Sequence, residues 1–493
     1  MKFTAKIIFI LFSIFFLLII KVCGQEPFAK HGNIWVLGSS QDESSVLDFN
    51  YDPPLVYSIP VEMDFDGFFT NLCDRDGELL FYTNNCFISN SGGDVVINGD
   101  SLNPGFSQVL FCATGGDRSI ESGVPLPSAY SDSMFYYFSS NTDTIDNKLL
   151  TSKVFFHKII KNDFNDLEVL SKNQLVFQDT LARGNIEAVL HDNGKDWWIL
   201  APKHESNCYH KALLNEDGVS NLGTTCMGIP WNDKEGSQAV FSPNGKYFAR
   251  VNYQNGLHLY SFDNIEGEFT NEEYFDFNGH PEFPLYTGVS FSSDSKLLYV
   301  STKIKLLQFN LIEDPKLLKE VIVSEWDGFE DPNPTYFNFH ALAPNGKIYI
   351  GTSFNSSKWL HVINYPNCEG INCNVIQHSL ELPKSKVVSL PNLPTFFAPI
   401  NSEINCDTVV NVSTIDQVFP EALVSPNPFG ETFNISLNEE VELKVADSYG
   451  RIIFNEIRME DVQISTTNWP SGLYFLNIQN ENSRIKTYKL IKL

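Results

Sequence analysis

One pattern of apolar and polar positions recurs along the chain: a short apolar strand, a tight polar turn, then an aromatic-rich strand. It reads TNLCDRDGELLFYT from Thr70 and SAYSDSMFYYFS from Ser128. It returns as EAVLHDNGKDWWIL from Glu187, QAVFSPNGKYFARV from Gln238, GVSFSSDSKLLYVS from Gly288 and HALAPNGKIYIGT from His340. The turn residues Asp76, Asp132, Asn193, Asn244, Asp294 and Asn345 are spaced 56, 61, 51, 50 and 51 residues apart. Gly32, ahead of NIWVLG, marks a degenerate first copy. Asn-Gly and Asp-Gly supply the positive φ angles that a two-residue hairpin needs to match strand twist. The strands that follow, such as Leu79 to Thr83 and Trp197 to Leu200, are continuous apolar runs, as expected where both faces are covered. A third strand often follows, as at Leu257 to Phe262, Leu306 to Leu311 and Leu360 to Asn364. No long helical periodicity runs between Gln25 and Ile400. A period near fifty residues with three to four strands per unit predicts an all-β fold whose main body is a β-propeller. Seven blades is the expected count, with six or eight as alternatives. Solenoid repeats are usually shorter or helical.

These units also resemble known ones. SPNGKYFA and APNGKIYI are similar to the WD-like repeat of many bacterial propellers, SPDGK followed by an aromatic-rich strand. The order of GELLFYTN, AVLHDNGKDWWIL, SSDSKLLYVST, LHVINYPN before a Cys, and SLPNLPTFF from Ser389 resembles a family of uncharacterised secreted propellers from Bacteroidota. The resemblance covers roughly residues 31 to 400. The copy from Ser128 fits worst, because Tyr130-Ser131-Asp132-Ser133 lacks the glycine.

Near Ile400 the pattern stops. Residues 401–423 are polar with isolated apolar positions and read as a linker after a propeller over residues 25–400. From 424 to 493 the period becomes two. Phe433, Ile435 and Leu437 alternate with polar residues, as do Val441, Leu443 and Val445, then Tyr474, Leu476 and Ile478. That alternation, with closely spaced turns, predicts a small Ig-like β-sandwich. The tail closely resembles the C-terminal sorting domain of the type IX secretion system. The matching features are Ser425-Pro426-Asn427-Pro428, Asp447-Ser448-Tyr449-Gly450-Arg451, Trp469-Pro470-Ser471-Gly472-Leu473-Tyr474, and the ending KTYKLIKL with Lys486 and Lys489. The resemblance implies that the export machinery is a partner. It also implies a secreted or surface location, reached through the periplasm and outer membrane. Such domains are usually removed, often with transfer of the cargo to a surface glycolipid.

The other end agrees with export. Lys2 and Lys6 precede an apolar run from Ile7 to Ile20, and Val22-Cys23-Gly24 offers a cleavage site before Gln25, so residues 1–24 read as a signal peptide. The run is short for a spanning helix, which needs about 20 residues. A lipid-modified Cys23 is the alternative, disfavoured by Val22 at the preceding position and by Lys21. Eight cysteines remain: Cys73, Cys86, Cys112, Cys208, Cys226, Cys368, Cys373 and Cys406. An even number in an exported chain predicts disulfides. The expected pairs are Cys368 with Cys373 across a short loop, and Cys208 with Cys226. The remaining four allow three pairings. No CxxC pair occurs, so neither a metal site nor a cofactor is expected. With 34 basic and 60 acidic residues the net charge is −26, which disfavours nucleic acid and anionic membrane surfaces as partners.

Candidate chemistry is sparse. No GxSxG elbow, HExxH or P-loop is present. Asp74-Arg75-Asp76-Gly77 matches the start of a calcium loop but lacks the remaining ligands, so a hairpin turn explains it. Within a blade, the start of the first strand and the end of the second reach the same face, which predicts Glu187 and His204 near one rim of the channel. Repeat alignment puts Gln238 in the column of Glu187, and His340 one position later. Alternation along a strand favours the Glu187 column as channel-facing. Glu187, His204 and Gln238 are therefore the candidate binding residues. A Glu beside a His could serve acid–base chemistry. Hydrogen bonds that tie blades together are the alternative, and His191 beside its turn is expected to be structural. Two functions stay open: a non-catalytic propeller binding a protein or glycan, and an extracellular hydrolase or lyase with its site at the channel mouth.

Overall fold

In a computed structural model of the chain, the described residues are 28, 30–398, 406 and 422–492, apart from 39–42, 66, 113–114, 163, 165, 233–236, 279, 281–286, 313–317, 353–356, 386–388, 427, 438–439, 448–450 and 481–484. The predicted signal peptide and most of the predicted linker lie outside them. The chain divides into two compact units, Met1–Val409 and Val410–Leu493.

Seven antiparallel sheets build the first unit, one per blade. Blade 1 holds β1 (Ile34–Leu37), β2 (Glu43–Asp48) and β3 (Leu55–Pro60), and blade 2 holds β4 (Thr70–Cys73), β5 (Leu79–Thr83) and β6 (Ile88–Asn90). An insertion with the short helix α1 (Phe106–Phe111) precedes blade 3, formed by β7 (Gly123–Pro127), β8 (Met134–Ser140), β9 (Asp143–Ile145), β10 (Lys148–Lys161) and β11 (Leu167–Leu181). Blade 4 holds β12 (Glu187–Leu190), β13 (Trp197–Pro202), β14 (Cys208–Asn215) and β15 (Gly218–Cys226). Blade 5 holds β16 (Gln238–Phe241), β17 (Tyr247–Asn252), β18 (Gly256–Asp263) and β19 (Glu268–Phe275). Blade 6 holds β20 (Val289–Phe291), β21 (Leu297–Ser301), β22 (Lys305–Asn310) and β23 (Glu320–Glu325). Blade 7 holds β24 (Phe337–Leu342), β25 (Ile348–Thr352), β26 (Trp359–Ile363) and β27 (Val375–Glu381).

The repeated turns explain the regularity. Asn193, Asn244, Asp294 and Asn345 each accept, through Oδ1, the backbone N–H two residues on, so the side chain closes the turn itself. Gly194, Gly245 and Gly346 then take φ of +70°, +69° and +75°, and Ser295, standing where the others have glycine, takes +61°. All these turns lie on one face, joined blade to blade. Asn50 Nδ2 donates to Gly77 O (3.0 Å), Tyr130 Oη to Asp196 Oδ1 (2.6 Å), Asp192 N to Asn264 O (3.3 Å) and Asn244 N to Ser295 Oγ (3.1 Å). Arg75 pairs with Asp132, and Ser293 Oγ donates to Asn367 Oδ1 (3.1 Å). Second strands such as β13 and β25 are buried along their whole length, because neighbouring sheets cover both faces. One such interface packs Trp198, Leu200 and Tyr209 of blade 4 on Phe241, Phe248 and Tyr260 of blade 5.

Blade 1 departs from the plan. Cys73 N, at the end of β4, donates to His31 O just ahead of β1, while Asn71, earlier in β4, accepts from Val36 N and donates to Ile34 O. β1 therefore runs antiparallel to β4, in the direction of a second strand, with Gly32 in the position of the turn glycine. No inner strand precedes it among the described residues. The channel is instead threaded by residues 389–397. Ser389 Oγ donates to Gly67 O (2.6 Å), Thr70 Oγ1 to Asn392 O (2.8 Å), and Asn392 Nδ2 to Gly123 O (3.1 Å) and Ile186 O (3.0 Å). Further on, Thr395 Oγ1 donates to Phe241 O (2.7 Å), and Phe397 packs on Gly32, His31 and Trp197. Pro391 and Pro394 have no N–H to give a ladder, so side chains hold this segment in place. Blade 7 meets blade 1 through Trp35 against Tyr349 (5.7 Å between rings) and through Ser45 Oγ, which bonds both the N–H and the carbonyl of Lys384.

The second unit is a sandwich of two sheets. One orders β28 (Ala422–Ser425), β29 (Thr432–Leu437) and β32 (Val462–Ser465) as β28-β29-β32. The other orders β30 (Val441–Asp447), β31 (Ile452–Arg458), β33 (Gly472–Asn480) and β34 (Ile485–Lys492) as β31-β30-β33-β34. Its core is the alternating set read from the sequence: Phe433, Ile435, Val441, Leu443, Val445, Tyr474, Leu476 and Ile478, closed by Phe429, Ile464 and Leu490.

The disulfides correct one expectation. Cys208 pairs with Cys226 across β14 and β15, but Cys368 pairs with Cys406 rather than Cys373, and Cys86 pairs with Cys112. A 3-10 turn over Gly370–Cys373 carries the Cys373 side chain inward against Tyr299 and Ile348, away from Cys368. Burial pushes its thiol up to about 12. Cys73 and Cys373 stay reduced and buried.

Replacing Asn392 by Ala leaves two buried carbonyls on blades 3 and 4 without their donor. The expected cost is about 2 kcal/mol or more, read as a lower urea midpoint of the purified protein. An unchanged midpoint would show that Asn392 does not hold the ring.

Candidate functional site

The channel segment leaves a cavity of about 40 Å³, lined by Trp35, Glu121, Glu187, Gln238, His340 and Asn392 among others. That is room for a few waters at most. Glu187 opens β12, and Gln238 opens β16. Gln238 Oε1 accepts from Val289 N (2.9 Å) and His340 N (3.0 Å), and its Nε2 donates to His340 O (2.8 Å). One amide thereby ties blades 5, 6 and 7. Glu121 does the same for blades 3 to 5: its Oε2 accepts from Asn185 Nδ2 (2.7 Å) and Ala239 N (2.9 Å). Asn185 Oδ1 in turn accepts from Ser237 Oγ (2.6 Å) and from Arg250 Nε (3.1 Å), whose buried guanidinium stacks 4.1 Å over Trp231.

The electrostatics follow from burial. Loss of water raises the Glu121 carboxyl to about 7, although hydrogen bonds from Ala239, Asn185 and Gln238 and the Arg250 charge pull the other way. Glu187 is raised well above the carboxylate range, by burial first and then by Glu121. Two buried carboxyls near one another cannot both ionise cheaply. His340 is held down at about 3 by burial and by His361, so its ring is neutral. Glu187 Oε1, both ring nitrogens of His340 and Trp35 Nε1 are buried without a protein partner. The cavity is thus polar and narrow, suited to holding a proton and ordered water. Among the described residues no cluster of three or more His, Cys, Asp or Glu could hold a metal.

The structure places Glu187 and Gln238 on this cavity and does not bring His204 to it. β13 runs past the level of Glu187, which pairs with Leu200, and carries His204 outward. There its N–H donates to Thr180 O in blade 3 and its Nε2 lies 3.5 Å from Glu205 Oε1. His191 Nδ1 accepts from Asn193 N, a turn cap. The alternation argument fails in its geometry: a blade's sheet faces point at the neighbouring blades, so both columns can reach the channel, and His340 lines the cavity with Glu187. Sequence reasoning missed Glu121 and Asn392. Glu121 lies ahead of the repeat unit, and Asn392 lies after the last blade.

A second feature lies on the face opposite the turns, where β5 and β8 end. The insertion carrying α1 is pinned by Cys86–Cys112 and by Arg118, 4.5 Å from the Phe111 ring. Phe106 N and Ser107 N donate to Asp143 Oδ1 and Thr142 O. Val109 is 73% exposed, and Phe106 and Leu110 are also exposed.

A carboxyl raised on folding binds more protons in the native than in the unfolded state. Stability from the Glu121–Glu187 pair is therefore fully present below the unfolded value of about 4.5 and is lost as pH rises through 7 and above. His340 acts oppositely, losing stability as pH falls below about 6.5. Glu187→Gln removes the Glu187 share of the alkaline loss. Its stability relative to the wild type should rise between pH 5 and pH 8 by about 1 kcal/mol or more, the worth of one pKa unit. A pH-independent difference in chemical denaturation would refute the pair.

Residues 423–493 match the family described as the secretion system C-terminal sorting domain. Of the residues read as its signal, Pro426 follows β28, Gly472 opens β33, and Tyr474 is buried in the core with Oη donating to Pro470 O (2.6 Å). Asn427 and Gly450 lie outside the described residues, as do the side chains of Lys486 and Lys489 in β34. Among curated proteins none matches the chain. Several solved structures are similar in fold. One, functionally unknown, from Desulfotomaculum acetoxidans DSM 771, has 15% identity and TM-score 0.43, over 73% of this chain and 99% of its own. A candidate 6-phosphogluconolactonase from Bacteroides fragilis NCTC 9343 has 10% identity and TM-score 0.44, over 74% and 99%. The Dos1 propeller has 11% identity and TM-score 0.40, over 72% and 87%. The chain is a β-propeller followed by a type IX C-terminal sorting domain, which directs it to the cell surface or the medium.

Proposed function

We propose that this protein is a non-catalytic binding propeller, exported through its sorting domain to engage an extracellular protein or glycan. The observation that carries the reading is the occupied channel. Residues 389–397 fill the place where a hydrolase or lyase would take its substrate, and Glu187 faces a cavity of about 40 Å³ beneath them. What remains for a ligand is the outer surface. The α1 insertion is the feature we assign to it, because a disulfide fixes a loop that exposes Phe106, Val109 and Leu110. Apolar side chains grouped on a rigid surface mark interaction sites, and loops on a rigid scaffold carry binding more often than cores do. Gln238 acts in this reading as a tie between blades, Glu187 as a buried group beside the Glu121 tie, and the residues from Pro426 to Lys489 singled out in the tail act in export.

The test is a glycan array and a panel of hydrolase and lyase substrates, run on the purified propeller. A ligand retained by the wild type and lost in Val109→Asp/Leu110→Asp, with unfolding unchanged and no turnover on the panel, is the expected result. Turnover that disappears in Glu187→Gln would replace this reading with the enzymatic one.

A further inference from the structure

Among the described residues, the sorting domain exposes four large apolar side chains: Ile452 (60%), Ile453 (39%), Ile457 (67%) and Met459 (70%). All lie on β31 or directly after it. β31 is an edge strand, hydrogen-bonded only to β30. Its register explains the exposure. Val445, Leu443 and Val441 of β30 face the core and pair with Phe454, Glu456 and Arg458, whereas Ala446 and Glu442 face away and pair with Ile452 and Ile457. Residues paired across antiparallel strands share a face. β31 thus keeps Phe454 on the core side, beside Glu456 and Arg458, and turns Ile452 and Ile457 outside. A register shift between Val445 and Ala446 makes Ile453 the extra residue of a bulge, a feature that re-aims side chains at sheet edges.

The domain's own packing gains little from these side chains, which stay 39–70% exposed. Apolar residues scattered singly over a surface need no explanation, but here they are confined to one strand with a free edge. The edges of the other sheet are poorer templates, since β28 and β32 have four residues each.

We propose that β31 is the surface by which the export machinery grips this domain. A strand of a machinery protein adds to its free edge and covers Ile452, Ile457 and Met459. The inference rests on the sorting reading, which requires that a protein machinery recognise something within residues 423–493. Strand addition supplies affinity through main-chain hydrogen bonds, and the outward isoleucines supply register.

The experiment follows the full-length protein in the cell that exports it, as the exported share against the periplasmic share. Ile457→Lys/Met459→Lys should lower the exported share roughly tenfold, the order expected from losing one buried isoleucine, with the unfolding of the purified chain unchanged. Val321→Lys, on the exposed outer strand of blade 6, should export normally. A photo-crosslinking amino acid in place of Ile457 should capture an envelope protein, and one in place of Asn434 on the opposite sheet should not. Normal export of the double variant, or adducts only to a second copy of this chain, would overturn the proposal. Deleting Lys486 to Leu493 serves as the separate control. If that truncated chain still leaves the periplasm in normal amounts, the sorting reading itself fails.

Discussion

The ring depends on how the inner edge of blade 1 and the centre of the channel are satisfied. A blade normally supplies its own innermost strand, and blade 1 supplies none among the described residues. Its exposed backbone at Ile34 and Val36 is taken up by the Asn71 side chain, and the remaining space by a segment that enters after blade 7. That segment cannot join a ladder, because two of its residues are proline. It is fixed instead by four polar side chains, Ser389, Thr70, Asn392 and Thr395, each donating to a main-chain carbonyl. An unpaired buried carbonyl costs about 1–3 kcal/mol, so these few bonds decide whether the centre of the molecule is stable.

The same closure sets the chemistry beneath it. With the channel filled, Glu121 and Glu187 lose water, and desolvation outweighs the hydrogen bonds and the Arg250 charge that would keep Glu121 ionised. The site that most resembles acid–base machinery by composition is therefore a desolvated lock between blades. The Cys368–Cys406 disulfide lies just beyond the closing segment and ties the chain back to blade 7, so Phe397 is covalently anchored on its far side.

Much of this architecture is legible in the sequence, because it is local. Asn193-Gly194, Asn244-Gly245 and Asn345-Gly346 specify their turns through their own side chains and φ angles, and Phe433, Ile435 and their alternating partners specify the sandwich. Cys208 and Cys226 pair because neighbouring strands place them opposite one another. What fails is non-local. Cys373 is drawn into the core by Tyr299, distant in sequence, and Cys368 finds Cys406 only once the chain has crossed the channel. His204 leaves the rim because β13 continues outward to meet blade 3. Glu121 and Asn392 carry no repeat signal, since they lie outside the repeated unit and act between blades.

The central claim, that residues 389–397 close the propeller, is tested most directly by thermal unfolding of two shortened chains. One spans residues 25–409 with Cys406→Ser, and the other spans residues 25–385, so that both lack the last disulfide and differ in the channel segment. The account predicts a single cooperative transition for the longer chain, and loss of cooperativity with exposed apolar surface for the shorter one. Equal midpoints and equal cooperativity would contradict it.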